Sequence, residues 1–228
     1  MFHFDLAEYV VQLCIMAIPF LTAITFHEAA HGYAAYRLGD PTAKLAGRLT
    51  LNPLKHLDLL GTVALLVTRF IGWAKPVPVN ARYFRNPRKG MMWVALAGPG
   101  ANFLLAVAFA GAFRLWLAVL GVSQSQALQA WFSTLMQPTA NLLGSILAFG
   151  ALINLGLGFF NLIPIPPLDG SNILAGLLPR RAAMRYMSFG RYGFLLVILI
   201  VALGQLGGID LLGGILMPCI DLSARLLF

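Results

Sequence analysis

Long apolar stretches, separated by short polar or basic segments, dominate the pattern of this chain. The first helix is predicted from about Leu6 to Leu38, where Gly39-Asp40-Pro41 supplies stop signals. Two more long helices and two shorter spans are predicted at about Met91 to Leu120, Pro138 to Leu162, Phe189 to Leu206 and Leu211 to Leu226. Apolar stretches of this length are typical of helices that cross a membrane.

The segments between these spans have other patterns. Within residues 43–52, Arg48 to Leu51 alternates apolar and polar positions, which predicts a short strand. The apolar run 57–73 is barely long enough to span and has basic clusters on both sides, so a re-entrant or tilted element is predicted there. Prolines make 75–80 extended, and 123–137 is predicted to be an uncharged polar connection.

Composition places these helices in a membrane. Hydrophobic residues make up 59% of the chain and charged residues 11%, whereas soluble domains carry about 25% charged residues. The net charge of +8 comes from short basic clusters between apolar spans, where it sets topology and meets anionic lipid. No basic face with interleaved aromatics is present, so nucleic acid is not expected as a partner.

Together these patterns predict an all-α integral membrane protein. We expect a polytopic helical bundle of about five to six spans, with a short re-entrant or β-like element after the first helix. A length of 228 residues suits one compact bundle, so a single membrane-embedded domain is expected over 1–228. Basic residues follow the first helix and mark its end as cytoplasmic: Arg37, Lys44, Arg48 and Lys55.

The candidate chemistry lies near that end of the first helix. His27 and His31 are four residues apart, so an α-helix places both imidazoles on one face, about 40° apart. Two neutral imidazoles at this spacing can bind one divalent metal, most often zinc, and Glu28 beside them is a candidate general base. Ionisable groups inside an apolar span are costly, which favours a functional role. The alternative is a satisfied polar patch between helices.

A third protein ligand is expected for a catalytic zinc, with the fourth position left to water. The candidates are Asp58, Asp169, Asp210, Asp221 and His56. Asp169 has the best context, because it follows a helix end broken by Pro164, Pro166 and Pro167, where freed backbone groups imply a cavity or protein surroundings. The alternative for Asp169 is an N-cap for the helix that starts at Gly170. The residues alone leave both open.

Two motifs resemble the site-2 protease family of intramembrane zinc metalloproteases: Phe26-His-Glu-Ala-Ala-His-Gly32 and Asn161-Leu-Ile-Pro-Ile-Pro-Pro-Leu-Asp-Gly170. The linking blocks 47–56, 72–80 and 97–102 are similar to its compact bacterial branch, which has no PDZ or CBS domain. The resemblance implies that His27, His31 and Asp169 bind one zinc ion and that Glu28 is the catalytic carboxylate. Asn161 matches a family asparagine thought to contact substrate or the oxyanion.

The resemblance implies hydrolysis of peptide bonds in or near transmembrane segments of membrane proteins, by zinc-activated water with Glu28 as general base. A transmembrane protein or peptide is then the substrate, lipid surrounds the chain, and the oligomeric state stays open. The expected location is a prokaryotic cytoplasmic membrane, with the active site toward the cytoplasm. The alternatives are a zinc transporter or channel, and a catalytically silent membrane scaffold. His56, Asp58 and Asn102 are interpreted as local or interhelical polar contacts.

Overall fold

The computed structural model describes residues 6–68, 73–207 and 210–228. Within these residues the chain forms α-helices joined by short turns, and a single antiparallel bridge pairs Leu57 with Ala74. The helices are α1 (Leu6–Arg37), α2 (Thr42–Leu45), α3 (Leu59–Thr68), α4 (Pro87–Val119), α5 (Ala127–Met136), α6 (Leu142–Leu162), α7 (Asp169–Leu177), α8 (Arg180–Ser188), α9 (Gly190–Gly207) and α10 (Leu211–Leu227).

Asparagine caps explain where two of the long helices begin. The Asn86 side chain accepts a hydrogen bond from Lys89 N at 3.1 Å, so α4 starts at Pro87, a few residues before the apolar run. The Asn141 side chain likewise accepts from Gly144 N at 2.8 Å and starts α6. The long helices are therefore confirmed, with ends that differ by a few residues.

Helices α1, α4 and α6 form the centre of the bundle. Helix α4 packs against α1, α6 and α7, and α6 also packs against α1. Aromatic side chains of α4 sit on glycines of α6: a Cβ at Gly150 would lie 2.3 Å from the Phe109 ring, and one at Gly158 would lie 2.8 Å from the Phe103 ring. Small residues let helices approach closely in lipid, where van der Waals packing is a main source of association.

The predicted strand is wrong. Thr42–Leu45 is helical, and residues 46–52 form turns and irregular backbone. The alternating residues 48–51 have no neighbouring strand to pair with in the described chain, so the pattern alone does not create a sheet. The prediction that 75–80 is not helical is confirmed, and the Asn80 backbone at its end is extended.

The predicted polar connection is also wrong over most of its length, because Ala127–Met136 is α5. Ala127 and Trp131 lie one turn apart and are buried, and Trp131 Nε1 donates a 3.1 Å hydrogen bond to the Ala148 carbonyl. These contacts with α6 stabilise a helix that the glutamine and serine content concealed.

An all-α membrane protein is confirmed at the level of helix length and composition. Among the described residues, three helices are long and apolar enough to cross a membrane, at Val10–Arg37, Pro87–Val119 and Leu142–Leu162. Helices α8 and α9 meet at 56° and make a fourth span if they are counted together. The number of five to six spans stays a prediction. Residues 69–72 of the predicted re-entrant element lie outside the described residues, so that prediction is also open.

Candidate metal centre

Helices α1 and α7 bring three candidate ligand atoms together. His27 and His31 lie one turn apart on α1, and their Nε2 atoms are 3.0 Å apart. Asp169 is the first residue of α7, and its Oδ2 lies 3.2 Å from His27 Nε2 and 3.3 Å from His31 Nε2. The three atoms form a nearly equilateral triangle in a largely buried place.

The hydrogen bonds of both imidazole rings hold the ring protons on Nδ1, on the side away from the three ligand atoms. His31 Nδ1 lies 2.7 Å from the Val94 carbonyl, which can only accept, so this nitrogen carries the ring proton. His27 Nδ1 similarly lies 2.6 Å from Asn102 Oδ1. In neutral rings both Nε2 atoms are then bare acceptors, and Asp169 Oδ2 is buried without a hydrogen-bond partner. Three acceptors that face one another in this way fit a metal cation between them.

The dimensions fit zinc. Bonds of about 2.0–2.1 Å in tetrahedral geometry separate neighbouring ligand atoms by about 3.3–3.4 Å, close to the observed 3.0–3.3 Å. Two imidazoles and one carboxylate also match a donor set that zinc uses in catalytic sites, where the fourth position stays open.

A glycine of α4 makes room for the two rings. A Cβ at Gly98 would lie 2.5 Å from His31 Nε2 and 2.7 Å from His27 Cε1. The rings meet edge to face, with centroids 4.6 Å apart and planes at 89°. Gly98 stands in the block 97–102 that the sequence indicated only by resemblance, so its contact with the site was missed. The signal that could have revealed this contact is a small residue in a helix that packs against α1.

The end of α6 positions Asp169. A Cβ at Gly170 would lie 2.2 Å from the Leu162 carbonyl oxygen, so the start of α7 fits closely against that end. Leu168 stands at the N-cap, and no side chain caps this helix. The carboxylate of Asp169 therefore does not serve as the N-cap that was its alternative.

The other candidate ligands are used elsewhere. Asp58 accepts from Gly61 N at 2.8 Å, and Asp210 caps α10 by accepting from Gly213 N at 2.7 Å. Asp221 pairs with Arg225 at 2.8 Å. His56 is fully buried, and its Nε2 donates to the Thr50 carbonyl at 2.8 Å. The local polar contacts predicted for Asp58 and His56 are confirmed.

Glu28 and Asn161 line one cavity with His27. The cavity has a volume of about 350 Å³, and most of its wall is apolar, with Phe20, Trp73, Phe160 and Phe194 among the lining residues. Glu28 Oε2 accepts a 2.8 Å hydrogen bond from Val77 N in the extended segment. Asn161 Nδ2 donates to the Leu157 carbonyl of its own helix at 3.0 Å. The predicted carboxylate and amide thus line the same cavity as His27.

The sequence compares closely with known proteins. The profile of peptidase family M50 matches residues 15–203. A candidate zinc metalloprotease of Bacillus subtilis, YwhC, is 42% identical over 192 residues, which cover 83% of this chain and 82% of that protein. A candidate zinc metalloprotease of Mycolicibacterium smegmatis, Rip2, is 28% identical over 198 residues, which cover 85% of this chain and 69% of that protein. No solved structure gives a significant match.

The family profile covers most of the chain, and the relatives align over more than two thirds of their own length. The composition and the three apolar helices place it in a membrane. The chain therefore belongs to peptidase family M50, the site-2 protease family, and is a zinc-dependent metalloprotease.

Proposed function

We propose that this chain hydrolyses peptide bonds in or near transmembrane segments of membrane proteins, at one zinc ion held by His27, His31 and Asp169. The observation that carries the proposal is the convergence of three buried acceptor atoms at 3.0–3.3 Å, beside a carboxylate on the wall of an apolar cavity. Bound zinc supplies Lewis-acid chemistry: it lowers the pKa of a coordinated water and polarises a carbonyl.

Glu28 is the general base in this proposal. The Val77 N–H holds Oε2, which leaves Oε1 to take a proton from water and return it to the leaving amine. Asn161 has a second amide hydrogen besides the one given to the Leu157 carbonyl. That hydrogen can be donated to the substrate carbonyl oxygen as negative charge develops there.

The dimensions of the cavity support the proposal that the substrate is bound as an unwound peptide. Its volume of about 350 Å³ suits one or two side chains rather than a whole helix, whose diameter is about 10–12 Å. A substrate helix must therefore unwind locally before its amides reach Glu28. The mainly apolar wall favours the apolar side chains that a membrane-spanning segment carries.

The extended segment 75–80 has little capacity to pair with that unwound peptide. Lys75 N donates to the His56 carbonyl, Val77 N to Glu28, and Asn80 N to Asp40. Pro76 and Pro78 have no N–H to donate. We therefore assign this segment a role in holding Glu28, through the Val77 N–H.

We place the active site toward the cytoplasmic side of a prokaryotic inner membrane. Arg37 ends α1 six residues after His31, and the basic residues Arg180, Arg181 and Arg185 follow α7, whose first residue is Asp169. Basic residues near span ends favour the cytoplasm. The relatives compared above come from bacteria.

Transport of zinc and a silent scaffold are less well supported. A transport path needs successive acidic or histidine groups, whereas the described residues form one such cluster. A scaffold would have no need for Glu28 on the cavity wall.

The decisive experiment combines metal analysis with cleavage of a single-span substrate in detergent or vesicles. Glu28→Gln should keep its zinc and lose about 10²–10⁴-fold in cleavage rate, because only the proton acceptor is removed. Asp169→Ala should lose zinc, and Asp221→Asn, which breaks an exposed ion pair, serves as the control that keeps both. Unchanged cleavage by Glu28→Gln would reject Glu28 as the base.

A further inference from the structure

Asn102 is a fully buried polar residue in the middle of α4, and it touches the metal centre. Its Oδ1 lies 2.6 Å from His27 Nδ1. Its Nδ2 lies 3.2 Å from the Ala23 carbonyl and 2.9 Å from Asn154 Oδ1. One side chain therefore joins α1, α4 and α6. The sequence indicated an interhelical hydrogen bond for Asn102, which is confirmed, but not its histidine partner.

The partners of Asn102 determine its orientation. The Ala23 carbonyl can only accept, so the amide nitrogen of Asn102 must face it. Turning the amide by 180° would set its oxygen against two acceptors and its nitrogen against the ring. Oδ1 therefore faces His27 and accepts the proton of Nδ1.

Asn154 fixes the second end of this arrangement. It is fully buried in α6, and its Nδ2 donates to the Gly150 carbonyl at 2.8 Å. Because that carbonyl also only accepts, Asn154 Oδ1 is held toward Asn102. Donation then runs in one direction, from the His27 ring to Asn102, from Asn102 to Asn154, and from Asn154 to Gly150.

We infer that Asn154 is a positioning residue for the metal centre, which acts through Asn102 to keep the proton of His27 on Nδ1 and its Nε2 lone pair toward Asp169. Both asparagines are fully buried between apolar helices, where unused polar groups are costly. An imidazole without an acceptor at Nδ1 can carry its proton on Nε2, which blocks the ligand position. The inference rests on the proposed metal site.

The test uses full-length protein in detergent, with zinc affinity measured by chelator competition. Asn154→Ala should weaken zinc binding by about tenfold, the lower end of what outer partners of metal ligands contribute. Asn154→Ser has a shorter side chain that no longer reaches Asn102 but can still donate to the Gly150 carbonyl. It should weaken zinc binding as Asn154→Ala does, with less disturbance of the helix. Ser145→Ala is the matched control, because Ser145 is also fully buried in α6 and bonds the Pro138 carbonyl at 2.6 Å, away from the site.

A second measurement separates positioning from helix packing. ¹⁵N NMR of the metal-free protein reports which nitrogen of His27 carries the proton, and Asn154→Ala should raise the share on Nε2 while Ser145→Ala leaves it unchanged. In a double-variant cycle, Asn154→Ala should add nothing once Asn102→Ala is present, because both remove one path. Additive effects of the two substitutions on zinc affinity would overturn the inference. So would a His27 tautomer and a zinc affinity that neither Asn154 variant changes. If the unaltered protein binds no zinc at all, the proposed function fails, and the tautomer measurement still decides this inference.

Discussion

At the scale of single residues, the metal centre depends on the missing side chain of Gly98 as much as on its three ligand atoms. Gly98 has no side chain where two imidazoles pass, with ring atoms 2.5 and 2.7 Å from where a Cβ would be. Real Cβ contacts do not approach so closely, and the obstacle is a pair of buried rings held by Val94 and Asn102 rather than a flexible side chain. The rings must therefore move if this position gains a methyl group.

Gly98→Ala should weaken zinc binding by at least about tenfold, because displaced rings cannot hold both Nε2 atoms beside Asp169. Zinc retained after dialysis against a graded series of chelator concentrations measures the effect. Gly100→Ala is the matched control, since a Cβ there has no atom within 4 Å. In a helix interior, alanine is otherwise favoured over glycine by about 1 kcal/mol. Equal zinc retention by the two variants would contradict the steric argument.

At the scale of elements, short contacts tie the loop segments to the helix that carries the histidines. Asp40, fully buried just beyond α1, accepts from Thr42 N at 2.9 Å and also from the Thr42 hydroxyl. Its second oxygen accepts from Asn80 N at 2.6 Å. Burial alone would raise the pKa of Asp40, but these donors favour the charged form and hold its pKa below the ordinary value. One carboxylate thus fastens α2 and the segment 75–80 to the end of α1.

Asp40→Asn should lower the thermal stability at pH 7, by about 1–3 kcal/mol in free energy of unfolding, because an amide group would face a backbone donor. Since the pKa of Asp40 is lower in the folded than in the unfolded protein, its stabilisation is present above the ordinary carboxyl pKa of about 3.9 and is lost as the pH falls through the folded value. The difference in melting temperature between the two proteins should therefore shrink in acid. Asp221→Asn, which removes an exposed pair, should change the melting temperature little at either pH. A difference in melting temperature that grows in acid would refute the lowered pKa of Asp40 in the folded protein.

At the scale of the whole molecule, the site joins parts of the bundle that are far apart in sequence. His27 and His31 come from α1 and Asp169 from α7, and α4, which carries Gly98 and Asn102, packs against both helices. A metal ion bound by both ends therefore links them in the folded state alone. Anything that binds the folded but not the unfolded chain stabilises it by mass action.

Removal of zinc should lower the melting temperature of the protein in detergent, and restoring zinc should reverse the change. At free zinc 100-fold above its dissociation constant, the expected stabilisation is about 2.7 kcal/mol. Asp169→Asn should lack this response, whereas His56→Asn should keep it, because His56 bonds the Thr50 carbonyl away from the three ligand atoms. A melting temperature of the unaltered protein that ignores zinc would contradict the proposed ligand set.

Local patterns and motifs in the chain were enough to predict the membrane class, the long helices, the family and the histidine pair. These depend on local rules: apolar length predicts a span, and helical spacing sets two residues four apart on one face. The confirmed resemblance to site-2 proteases adds Asp169, which the residues alone left between ligand and helix cap. Local rules also misled where burial decided the outcome, as in α5, whose Trp131 is buried and hydrogen-bonded to the Ala148 carbonyl of α6.

Helix packing was needed to show which nitrogen of each ring is free, and why Gly98 and Asn154 matter. Contacts between distant segments depend on how helices pack and on which acceptor lies opposite each donor. The periodicity of a single segment predicts neither. The same reason explains the missing strand at 48–51: alternation is a local property, but a sheet requires a partner.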